Sequence, residues 1–86
     1  MQNLIIVFNN RNQTMQMASY LKRIGVNCKT ISTPRELSVS CGTSILLGSA
    51  DLQKVKYVIS NFKFSALVGV FAIITTGVGK KYNRLI

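Results

Sequence analysis

The apolar residues of this chain change their spacing from segment to segment, and the order of those changes limits what it can fold into. Leu4-Ile5-Ile6-Val7-Phe8 is an unbroken apolar run rich in β-branched residues. That is the pattern of a central strand covered on at least one face. Asn9 and Asn10 end it, because short polar amides favour turns. From about Arg11 to Ile24, Thr14, Met17 or Ala18, Leu21 and Ile24 recur at helical spacing, with Gln13, Gln16, Lys22 and Arg23 covering the rest. Gly25 stands where a helix C-cap is expected. Val26, Cys28 and Thr30 then alternate with Asn27 and Lys29, which is strand periodicity.

Thr43 to Leu47 reads as a third strand, closed by Gly48. Ser49 is placed to cap a second helix, with Asp51 in its first turn, where a carboxylate favours the dipole. Leu52, Val55, Ile59 and Phe62 form its apolar stripe. Ala66 to Ile74 supplies a fourth strand. Thr75 to Gly79 breaks it, and Lys80 to Ile86 reads as a basic tail.

The order β-α-β-β-α-β predicts an α+β, ferredoxin-like fold: a four-stranded antiparallel sheet with two helices on one face. The expected organisation is a single domain, residues 1–86, with its core over about 3–74 and the tail over 75–86. That fold hosts many functions and identifies none of them. An apolar fourth strand left at a sheet edge would need cover, which favours a homodimer.

The chain is strongly basic, with net charge +9 over 86 residues. Such a balance points to an anionic partner: nucleic acid, a membrane surface, an acidic protein or a small anion. The cations are spread, with no run longer than the pairs Lys22-Arg23 and Lys80-Lys81. The longest uncharged stretch, Phe64 to Gly79, contains Ser65, Gly69, Thr75, Thr76 and Gly77. It falls short of the roughly 20 apolar residues that span a bilayer. The cysteines, Cys28 and Cys41, occur without a secretion-type leader, which fits a cytoplasmic location.

Thr33-Pro34-Arg35-Glu36 fits a capping box, with Thr33 as N-cap, Pro34 first in the helix, and Glu36 reaching back to the Thr33 amide. One short helical turn over about 34–39 would then lead into Cys41. Arg35 is the nearest cation in sequence, and cations favour a thiolate. Ser38 and Ser40 could donate hydrogen bonds to sulfur, and Gly42 leaves the backbone uncrowded beside it. Cys28, on a strand face with Val26, reads as a small buried hydrophobe.

Other chemistry is poorly supplied. The chain has no His, so a Cys-His or Ser-His relay cannot be built. Its two carboxylates, Glu36 and Asp51, both have capping roles. Two separate cysteines make no zinc site, and no phosphate loop is present. No metal or cofactor is expected.

The segment Thr33-Pro34-Arg35-Glu36-Leu37-Ser38-Val39-Ser40-Cys41-Gly42 closely resembles the mark of the Putative Se/S carrier protein-like family, small bacterial proteins. Leu21-Lys22-Arg23-Ile24-Gly25-Val26 and Asp51-Leu52 extend the resemblance, which covers about residues 3–74. It implies that Cys41 carries sulfur or selenium as a persulfide or selenenylsulfide, with Arg35, Pro34 and Gly42 as matching motif residues. Donor and acceptor proteins would be its partners. Such a protein is a relay rather than an enzyme with turnover of its own. The alternative is a small basic nucleic-acid-binding or regulatory interaction module. Against nucleic acid, Thr43 to Leu47 has no aromatic and the first strand has only Phe8.

Overall fold

The computed structural model describes residues 3–37, 42–62 and 64–86. Strand β1, Asn3–Phe8, lies at the centre of the sheet. Helix α1, Arg11–Arg23, follows, and its N-cap Asn10 accepts a hydrogen bond from the Gln13 amide at 3.1 Å. It ends as Gly25 suggests. Gly25 takes φ +85°, its amide donates to the Lys22 carbonyl, and the Val26 amide donates to Leu21. This pairing satisfies carbonyls that the last turn leaves open and requires a left-handed residue. Ile24 is therefore outside the helix and exposed, not part of the buried stripe.

Strands β2, Cys28–Ser32, and β3, Thr43–Gly48, pair antiparallel, with Cys28 opposite Leu47 and Ser32 opposite Thr43. A 3-10 turn, Ser49–Asp51, precedes helix α2, Leu52–Asn61. Ser49 thus opens this turn, and Asp51 occupies the N-cap position. The Asp51 carboxylate lies 3.8 Å from the Lys54 ammonium, one helical turn on. Phe62 sits just past the helix, exposed on one side and stacked on Tyr20 at 4.1 Å on the other.

The fourth strand is longer than its apolar run, and the expected tail is a strand. β4 runs Leu67–Thr76 and β5 runs Gly79–Arg84, joined by Gly77 and Val78. The sheet accordingly has five antiparallel strands, in order β2-β3-β1-β4-β5, instead of four. A two-residue turn sets the register, with Thr76 opposite Gly79. The Thr76 hydroxyl donates to the Gly79 carbonyl at 2.9 Å and ties the turn. β5 is polar because it is an edge, where charge discourages further pairing. It also covers β4, so the argument for a homodimer from an apolar edge falls away.

The two helices bury their stripes on one face of the sheet. Met17, Ala18, Leu21, Val55 and Val58 pack with Leu4, Ile6, Phe8, Ile45, Leu47, Val70 and Ala72. Alternation sends Ile5 and Val7 to the other face, yet they are as fully buried. Ser44, opposite Val7, is buried there too. The unbroken apolar run of β1 reflects burial on both sides.

Candidate functional site

Residues of the motif reach the second face. Past β2, the Thr33 amide donates to the Gly42 carbonyl at 3.0 Å and closes the base of the segment between them. The Thr33 hydroxyl meets the Ser44 hydroxyl at 2.6 Å, over the buried face. Arg35–Leu37 form a 3-10 turn, with the Leu37 amide donating to the Pro34 carbonyl at 3.1 Å. Leu37 and Glu36 then lie beside Phe71 and Tyr82 and line one groove with them.

The capping box does not form. The Thr33 amide is engaged by Gly42 and its hydroxyl by Ser44. Glu36 instead lies beside Tyr82 in that groove. Burial first, then the neighbouring Glu36 carboxylate, pushes the Tyr82 phenol above its ordinary pKa. A long-range partner has displaced a local one, as tertiary contacts commonly do.

Of the expected site residues, Pro34 and Arg35 stand at the start of the turn and Gly42 at the base of the segment. A Cβ built on Gly42 would meet nothing within 4 Å, so the backbone there is open. Ser38, Ser40 and Cys41 lie outside the described residues. The residues that sequence reasoning missed are Ser44, Phe71 and Tyr82. Only Tyr82 had a signal: it alternates with Lys80 and Arg84.

Cys28 is placed quite differently. It begins β2, half-buried against the helix-side core, with its thiol directed at the Ala18 carbonyl at 3.9 Å. Burial pushes its pKa up; Lys22 opposes this shift and Asp51 adds to it. A thiol in such surroundings stays neutral and unreactive. Strand length separates Cys28 from the base of the motif segment, at Thr33, by about 17 Å. Among the described residues, no three His, Cys, Asp or Glu side chains cluster to hold a metal. None of their helices is long and apolar enough to cross a membrane.

The profile of the family described as "Putative Se/S carrier protein-like" matches residues 3–67. The chain belongs to that family. No curated protein and no solved structure matches it. The matched region takes in β1, both helices, β2, β3 and the whole motif, and stops at the first residue of β4. Nearly all of β4, and all of β5, lie beyond it.

Proposed function

We propose that this protein carries sulfur or selenium on Cys41, as a persulfide or selenenylsulfide, between a donor and an acceptor protein. The observation that carries this reading is family membership across a region that includes Thr33 to Gly42. The bracing of that segment's described ends supports it. A carrier thiol must be presented to two different enzymes from a loop that returns to one conformation. The Thr33–Gly42 and Thr33–Ser44 bonds serve that need.

The chemistry is an exchange. The Cys41 thiolate attacks the terminal sulfur of a donor persulfide. The donor S–S bond breaks, its cysteine leaves as a thiolate, and a new S–S bond forms on Cys41. Delivery repeats the exchange with an acceptor thiolate. A selenium atom in the terminal position follows the same course. Neither step is a net oxidation, so no cofactor is required. Arg35 and the basic chain would favour the thiolate and the anionic persulfide. Ser38 and Ser40 would donate to sulfur. The arrangement of the first four strands and two helices is read as ferredoxin-like with one strand added. The protein is a cytoplasmic relay in this account.

Intact-mass measurement after incubation with a cysteine desulfurase and cysteine tests this. Wild type and Cys28→Ser should gain sulfur, and Cys41→Ser should gain none. Equal loading of Cys41→Ser would overturn the assignment.

A further inference from the structure

The two edges of the sheet differ in charge. β2 carries one charged residue, Lys29, whereas β5 carries Lys80, Lys81 and Arg84, all exposed. Beside β5 runs a groove of about 550 Å³, lined by Glu36, Leu37, Phe71, Lys80, Lys81 and Tyr82. Its apolar part is Leu37 and Phe71. Its carboxylate, Glu36, lies beside Tyr82. Arg84 is steadied by a bond from its Nε to the Ile86 carbonyl at 2.9 Å. All of β5 falls outside the region matched to the family.

We infer that β5 and this groove form a docking surface for an extended, acidic segment of a partner protein, added to the sheet as a sixth strand. An edge strand offers backbone donors and acceptors in register, and side-chain pockets then choose the sequence. Here alternation puts Lys80, Tyr82 and Arg84 on the same face as Phe71. The segment that fits puts its carboxylates on that face, beside Lys80 and Arg84 and flanking Tyr82. A second copy of this chain is disfavoured, because β5 against β5 would oppose like charges. Nucleic acid fits less well. Single strands stack their bases on exposed aromatics, whereas Phe71 and Tyr82 are half-buried beside the motif turn. The docked segment would lie next to Glu36 and Leu37, where the motif begins. That the partner is a donor or acceptor rests on the carrier reading; the contact itself does not.

The test is an NMR titration of the full chain with a short peptide alternating Glu and Val. Amides of Gly79–Arg84 and Leu37 should shift. Lys80→Glu/Arg84→Glu should weaken binding about ten-fold, and Arg11→Glu/Lys56→Glu, the same charge change elsewhere, about two-fold or less. Equal weakening by both variants would reduce the effect to net charge and overturn the site. So would shifts centred on Cys28–Ser32. Tighter binding of an oligothymidylate of equal charge would overturn it in favour of nucleic acid. If the first variant fails to fold, the wild-type shift map still decides. Sulfur loading of Cys41 is read separately by mass, so failure of docking and failure of the carrier reading are distinguishable.

Discussion

On the helix face of the sheet, Leu4, Ile6, Phe8, Ile45, Leu47, Val70 and Ala72 meet the apolar stripes of α1 and α2. On the other face, Ile5, Val7 and Ser44 are buried to the same degree, with no described helix over them. What lies there includes the beginning of the motif, tied by the Thr33–Ser44 hydrogen bond with Leu37 beside Phe71, and the Arg84 and Ile86 end of the chain against Gly69. The difference teaches how one small sheet serves two purposes. The first face is fixed by broad apolar packing. The second adds to the buried Ile5 and Val7 a few polar contacts worth about 1 kcal/mol each. Cys28 belongs to the first face, and the motif turn leads off the second.

The most severe test of this comparison is a matched pair of truncations. Ile6→Ala and Ile5→Ala should each destabilise by about 3 kcal/mol in urea denaturation, since both side chains are fully buried. An Ile5→Ala cost below about 1 kcal/mol would mean that the second face is not truly covered. A smaller pair sharpens the polar contacts. Thr33→Val should cost about 1–2 kcal/mol, because Ser44 is buried and would lose its partner. Tyr82→Phe should cost about 0.5 kcal/mol or less, because the neighbouring Glu36 is exposed and water can serve it. The reverse order would contradict the view that burial sets the value of these contacts.

Much of the helix face was legible beforehand. Its determinants are local: the run from Leu4, the helical stripe from Thr14 to Leu21, and Gly25 at the turn that ends α1. The second face was not legible, because its determinants are distant in sequence. Thr33 and Glu36 satisfy a capping pattern, but Gly42 and Ser44 engage Thr33 instead. β5 was hidden by its charge. Lys80, Lys81 and Arg84 suppress the apolar alternation that marks a strand, although an exposed edge requires no apolar face. Gly77 and Val78 were read as a break when they are a two-residue hairpin turn. The motif itself was plain in the sequence, and its family is matched over residues 3–67. The bonds that hold its first half could be found only in three dimensions.

The two thiols offer the most direct measurement of the whole account. For Cys28 the folded protein favours the neutral form, so its contribution to stability is intact at neutral pH. It is lost as pH rises beyond the ordinary thiol value of about 8.5. Alkylation of the native protein, followed over pH and resolved by site with peptide mass mapping, compares both cysteines in one sample. If Cys41 is the carrier thiol, it should alkylate faster than Cys28 at neutral pH, and Cys28 should speed up only as pH rises. Alkylation of Cys41 no faster than that of Cys28 at neutral pH would contradict the carrier role.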